Sequence, residues 1–352
     1  MNETTPITPP DYNRDYTLGW LMRLLTTPSP TGFTHDILRL LEEETAKLGF
    51  RMERIAKGGG FVRVEGTSGG PALAITGHVD TLGAMVRSAN ADGTLRLTLL
   101  GGYMLPSIEN EYCLVHTRDA KAFSGTILPK KASVHVYEDA RDQKRNEEHY
   151  VVRLDETVSS KEDVKALGIE TGDYISFDPR AVFLDNGYIK SRHLDDKAGV
   201  AAMFALLEAM SRTGAKPRRD LIFFFSNYEE IGHGSSYVPG GAEEMLAIDM
   251  GAIGDDLACT ERDVSICAKD STGPYDYEMT NRLVGHAKRL GLGYAVDIYP
   301  RYGSDASAAL RAGQNIRAAL IGPGVAASHG MERTHEDAIR STYALLAAYA
   351  LE

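Results

Sequence analysis

Residues Leu221–Ser226 read LIFFFS, and the first five have no polar face at all. A strand of this kind cannot present one side to water, so it must lie inside a sheet covered on both faces, the usual condition of a central parallel strand. Residues 200–210 are nearly all apolar as well and predict a buried helix, which supplies one such cover. These two segments predict a layered α/β domain. Its other elements are a helix over 34–49 (capped by Thr34, striped by Ile37, Leu38, Leu40, Leu41 and Leu48, ended by Gly49), strands over 60–65, 72–76, 246–249 and 318–321, and helices over 278–290, 305–312 and 337–351.

The pattern breaks between residues 85 and 178. Short alternating runs at 94–100, 112–117 and 133–137 are separated by Gly, Pro and charged residues, and 138–148 reads as exposed loop. Such runs predict a small β-barrel or sandwich. At 352 residues the chain has room for roughly two domains, one per ~150 residues. The expected arrangement is nested: a discontinuous α/β domain over 1–84 and 179–352, interrupted by a β-barrel insert over 85–178.

Charge and composition narrow the function. Lys and Arg total 38 against 49 Asp and Glu, a net charge of −11. That balance argues against a phosphate-tracking nucleic-acid binder and against an anionic membrane surface. Three cysteines, Cys113, Cys259 and Cys267, are too few and too scattered for a disulfide framework or a thiolate metal site. Any bound metal must therefore be held by His, Asp and Glu. The polar start, Met1 to Arg14, does not read as a signal peptide, and no window reaches the ~18 apolar residues of a membrane span. A cytoplasmic location is expected.

Polar clusters stand directly after the apolar strands. His78-Val79-Asp80 follows 72–76, Glu229-Glu230 follows 221–226, Asp249 ends 246–249, and Ser328-His329 comes soon after 318–321. Asp195-Asp196 opens the buried helix. In open α/β sheets ligands sit beyond the carboxyl ends of the strands, so these clusters are expected to converge. Singly each has a structural reading: Asp195-Asp196 as a helix cap, Glu229-Glu230 as a surface pair, His78 and His329 as satisfied histidines. Together, two His, three or four carboxylates and one spare Glu suit two zinc-like ions ~3.5–4 Å apart, with one carboxylate bridging. The adjacent acids Glu229 and Glu230 can then divide metal binding and general-base work.

The same residues carry a family resemblance. Gly77-His78-Val79-Asp80-Thr81, His193-Leu194-Asp195-Asp196-Lys197-Ala198-Gly199, Glu229-Glu230-Ile231-Gly232, Ile248-Asp249 and Ser328-His329 follow the order found in M42 metallopeptidases, of the glutamyl aminopeptidase and tetrahedral aminopeptidase type. Asp270-Ser271-Thr272-Gly273-Pro274, Gly303-Ser304-Asp305-Ala306 and the 154–173 segment leading out of the insert extend the resemblance to nearly the whole chain.

The resemblance implies a zinc-peptidase-like catalytic domain with a mixed, helix-flanked sheet. Two divalent ions, Zn2+ by default with Co2+ or Mn2+ as alternatives, would be held by His78 and Asp249 on one side and Glu230 and His329 on the other. Asp195 would bridge them and be joined to Asp196 by a cis peptide. Glu229 would be the general base acting on a metal-bridging water, and Asp80 would orient the His78 ring. Asp305 and Asp270 would shape the substrate pocket.

The implied activity is removal of N-terminal residues from a peptide substrate by a homo-oligomer, dimeric through the insert or dodecameric. Departures stand at His193, Lys197, His233 and Gly330-Met331-Glu332-Arg333, near the expected rim, and they point to altered specificity. His193, His233 and His335 are expected to be structural or rim residues. Two other readings remain: hydrolysis of a small blocked peptide of the N-acetylglutaminylglutamine amide type, and a non-catalytic binding protein on the same fold.

Overall fold

The computed structural model describes residues 8–352, so the first seven residues of the polar start lie outside the described part. The main sheet runs in the order Met52–Arg54, Gly60–Val64, Leu221–Ser226, Ala72–His78, Ala242–Ile248, Arg317–Val325, Val264–Asp270, Gly273–Pro274. Leu221–Ser226, Ala72–His78, Ala242–Ile248 and Arg317–Val325 are mutually parallel, and antiparallel strands flank them on both sides. Leu221–Ser226 is completely buried, paired with Gly60–Val64 on one side and Ala72–His78 on the other, as its lack of a polar face requires.

Side-chain alternation divides the core into two layers. Leu73, Ile75, Phe223, Phe225, Leu246 and Ile248 pack beneath the helices Arg14–Thr26, His35–Lys47, Leu194–Thr213, Tyr277–Leu290 and Glu336–Ala350. Ala74, Met245, Ala247 and Leu320 face the other way, under the short helix Asp305–Arg311. The Arg14–Thr26 helix was not expected, although Thr17, Trp20, Leu21, Leu24 and Leu25 recur at helical spacing and bury its inner face. Trp20 packs on Phe204 of the buried helix, with ring centroids 4.7 Å apart.

Six strands close into a barrel, in ring order Gly83–Ala89, Leu95–Leu100, Tyr150–Leu154, Ala122–Pro129, Tyr112–His116, Tyr174–Phe177. It has its own core, including Val86, Leu97, Val115, Ile127, Val152 and Ile175. Two local expectations fail. Residues 133–137 form turns rather than a strand: Val136 and Tyr137 both donate their amides to the Ser133 carbonyl, and Val134 and Val136 are exposed with no strand to pair with. Thr34 sits at the start of its helix but does not cap it, because its hydroxyl donates to the Gly58 carbonyl instead. Gly49, at φ 83°, does end that helix.

At the amino end of the parallel strands, Glu244 accepts from Arg282, Arg317, Arg219 and the Tyr349 hydroxyl. Burial pushes its carboxyl up, but the Arg282 and Arg219 hydrogen bonds outweigh this and hold it down at about 2. A folded value below the ordinary 4.5 means the group stabilises the fold above pH 4.5, and that contribution drains away as pH falls toward 2. Glu244→Gln is expected to cost about 3 kcal/mol at pH 7. Denaturant melts should show the gap between wild type and variant closing as pH falls from about 4.5 to about 2. A gap independent of pH would refute the assignment. Among the described residues no helix is long and apolar enough to cross a membrane.

Candidate metal centre

The parallel strands end in register. Ser226 stands beside His78, and Ile248 beside Ile321, so the segments after them all leave the sheet at one edge. The helix bearing Asp195 starts at that edge, with non-helical torsions at Asp195 and Asp196 and the expected cis peptide between them.

Asp195 is central. Its Oδ1 lies 3.1 Å from His78 Nε2, and its Oδ2 lies 3.3 Å from His329 Nε2. Glu230 Oε2 is 3.4 Å from the same His329 nitrogen. His78, Asp195 and Asp249 each offer a ligand atom within 4.8 Å of the other two. Glu229 Oε2 is 3.8 Å from His78 Nε2. The seven residues singled out from sequence are therefore brought to one place: Asp195, Glu230 and Asp249 around the imidazoles of His78 and His329, with Glu229 and Asp80 beside them.

Backbone carbonyls orient both imidazoles. His78 donates from Nδ1 to the Asp80 carbonyl at 2.9 Å, and His329 donates from Nδ1 to the Gly102 carbonyl at 2.6 Å. Each ring thus keeps Nε2 free toward the carboxylates. The Asp80 side chain does not do this. Its nearer oxygen is 3.8 Å from the ring, and it accepts instead from the Thr31 hydroxyl and the Glu229 and Glu230 amides. The expectation for Asp80 is corrected accordingly: its main chain holds His78, and its carboxylate holds the turn that carries Glu229 and Glu230.

Burial drives the site's electrostatics. It raises Asp249 to about 8 and lifts Glu229 and Glu230 well above the usual carboxylate range, with neighbouring acids adding to the effect. Burial works against ionisation of Asp195 too, but in the metal-free chain hydrogen bonds from Nε2 of His329 and His78, rings then protonated on both nitrogens, win and hold it low. Glu230 Oε1 is buried without any hydrogen-bond partner among the described residues. Four buried carboxylates against two imidazoles are too much negative charge to leave unbalanced. The donor set, oxygens and imidazole nitrogens with no thiolate, fits divalent ions of the zinc type.

Asp196 points elsewhere. Among the described residues both its oxygens are buried without partners, and a Cβ at Gly199 would meet Asp196 Oδ1 at 2.1 Å, so that glycine is required by close approach. His193 is buried and packs at the start of the same helix, outside the ligand set. His335 accepts the Asp337 amide and donates to the Asn186 carbonyl, and His233 stacks on Tyr228 at the rim. Asp305 and Asp270 do not face the cleft. Asp305 accepts from the Ser235 amide and from the Thr76 and Ser226 hydroxyls, which ties the 227–236 segment to the strands. Asp270 accepts from Thr272 and the Tyr275 hydroxyl.

Sequence reasoning missed several contributors. Glu332, which in the sequence stands out only as a departure, accepts the amides of Asp195 and His329 with its two oxygens and so locks these two segments of the site together. A cleft of about 390 Å³ opens over the site, walled by Met250, Arg301, Tyr302 and Arg311. Arg301 and Tyr302 follow the strand Tyr294–Ile298, which runs antiparallel to Arg317–Val325 and ends at the far edge of the sheet, so the strand-end argument does not find them. The Gly102 carbonyl has no side-chain signature to find.

A mixed α/β sheet flanked by helices, carrying a closed barrel as an insert and a His-carboxylate cluster at its carboxyl edge, defines a peptidase fold of the metal-dependent class. Residues 58–345 match the family described as M42 glutamyl aminopeptidase, and the chain belongs to that family of peptide hydrolases. It is 45% identical over 334 residues to the putative aminopeptidase YhfE of Bacillus subtilis, a match covering 95% of this chain and 96% of that protein. Among solved structures, the aminopeptidase APDkam598 of Desulfurococcus kamchatkensis superposes with a TM-score of 0.85 at 22% identity, covering 96% of this chain and 95% of that one. The Pyrococcus horikoshii TET1 peptidase superposes with a TM-score of 0.84 at 20% identity, covering 96% and 99%.

Proposed function

We propose that the chain is a dinuclear metal aminopeptidase that removes N-terminal residues from peptides. The observation that carries this reading is the position of Asp195, whose two oxygens face His78 and His329 separately. In this reading two divalent ions, Zn2+ by default, would be held by Asp195 together with His78 and Asp249 on one side and Glu230 and His329 on the other. Bound there, the ions supply Lewis-acid polarisation of the scissile carbonyl and acidify water toward neutrality.

The chain's own residues do the rest. Glu229, raised well above the usual carboxylate range by burial, lies beside the ligands without belonging to either set. It accepts a proton from the attacking water and returns it to the departing amine. Asp80 holds the Glu229 and Glu230 amides and so keeps the base and its neighbouring ligand in fixed relation. The two backbone carbonyls keep both imidazoles in one tautomer.

Substrate choice is read from the cleft. Arg301 and Arg311 line it, and neither pairs with a carboxylate among the described residues. An acidic N-terminal side chain is the complement of that wall. Replacing both arginines by Gln is expected to lower kcat/KM for a glutamyl anilide roughly 30-fold, the equivalent of about 2 kcal/mol of charge-assisted hydrogen bonding, while an alanyl anilide changes less than about threefold. Equal losses on both substrates would refute the role. The N-acetylated form of the best substrate is expected to be inert, and its turnover would instead favour a blocked-peptide hydrolase.

The insert, residues 85–178, is proposed as the dimerisation body of a homo-oligomer. Its exposed Tyr112, Leu114, Val134 and Val136 favour burial against another copy. The Pyrococcus horikoshii TET1 peptidase, which shares this fold, can assemble into a tetrahedron or a large octahedral shell.

A further inference from the structure

The barrel insert reaches into the candidate metal centre. Gly102, whose carbonyl takes the His329 Nδ1 proton, lies in the loop after the barrel strand Leu95–Leu100. The preceding Gly101 is at φ 84°, and a Cβ there would meet Leu82 Cδ2 at 2.4 Å and Glu230 Cβ at 3.5 Å. The loop therefore rests against one proposed ligand, Glu230, and orients another, His329. The corresponding support for His78 comes from Asp80, within the sheet domain.

A buried ion pair ties the insert to the same place. Arg192, three residues before Asp195, donates to Glu111 Oε2 at 2.7 Å and to the Ser107 carbonyl at 2.5 Å, both in the insert. Its other terminal nitrogen lies 3.4 Å from the carbonyl of Gly330, the residue after His329. Arg192 is 5% exposed and Glu111 4% exposed, so the pair is shielded from water. One guanidinium thus joins the insert, the Asp195 segment and the His329 segment.

We infer that the insert is a working part of the metal centre: its docked position holds the ion bound by Glu230 and His329, while the ion bound by His78 and Asp249 does not depend on it. Gly102, Arg192 and Glu111 are positioning residues in this account. Groups that orient a ligand imidazole typically change metal affinity 10–100-fold. The inference rests on the ligand assignment made under the proposed function.

The test is Zn2+ binding to the metal-free full chain, measured by calorimetry and by competition with a chromophoric chelator. Two perturbations are independent of each other. Arg192→Met with Glu111→Leu removes both charges together, so no buried charge is left unpaired. Gly101→Ala pushes the loop away from Leu82 and Glu230 without touching the ion pair. In each, the affinity that His329→Ala also weakens is expected to fall at least about 10-fold and the other to stay within about threefold of wild type, with the melting temperature of the metal-free protein recorded as the check on folding. If either variant does not fold, the other decides.

No selective weakening, or equal weakening of both affinities in a folded variant, overturns the inference. The underlying assignment fails differently: wild type would then bind fewer than two ions, or His329→Ala would keep both at full affinity.

Discussion

Glu229→Gln is expected to lower kcat by about 1,000-fold while leaving the metal content of the protein unchanged, within the range that general acid–base groups contribute. The substitution keeps the shape of the side chain and removes its ability to take a proton. Glu229 has its own place in the site, with Oε2 3.8 Å from His78 Nε2, whereas Glu230 is the acid beside His329. Steady-state kinetics on an aminoacyl anilide, with elemental analysis of the same preparation, check both halves. Turnover near wild type would remove Glu229 as the base. Loss of metal together with activity would make it a ligand instead.

Asp195→Ala is expected to have the larger effect on binding, because one side chain serves both halves of the site. Both ions should bind at least about 100-fold more weakly, and activity should fall to background. His329→Ala, by contrast, should weaken one ion only. Folding should survive. Asp195 is one of the charges that push up Glu230 and Asp249 in the metal-free protein, so its removal relieves repulsion. Calorimetric titration of metal-free wild type and variant gives the affinities, and thermal melting gives the stability. Retention of two tight sites in Asp195→Ala would end the bridging assignment.

The residues gathered at the candidate metal centre were legible because each comes after an apolar strand or opens a buried helix. Parallel strands in register must deliver their succeeding residues to one edge, so His78, Glu230 and Asp249 share an address once the sheet order is known. The barrel was legible from its short alternating runs. One such run misled: residues 133–137 alternate, but no neighbouring strand pairs with them, and alternation without a partner does not make a strand. The Arg14–Thr26 helix was readable in principle from its spacing.

The role of a carbonyl could not be read. Gly102 and the Asp80 main chain orient the two imidazoles, and any residue has the same carbonyl to offer. The roles of Asp80, Glu332 and Arg192 were hidden for a related reason: each depends on amides and side chains distant in the chain. Glu332, for instance, spans from the His329 amide three residues away to the Asp195 amide 137 residues away.

The amino-acid sequence by itself determined the layered α/β core, the interrupting barrel and the set of His and carboxylate residues placed at strand ends. Burial, periodicity and residue chemistry are local properties, so a sequence carries them openly. Only the tertiary structure decided which carboxylate faces both histidines, which groups hold those histidines in place, and that the insert supplies one of those groups. These depend on distances between segments that only the folded sheet and its docked barrel bring together.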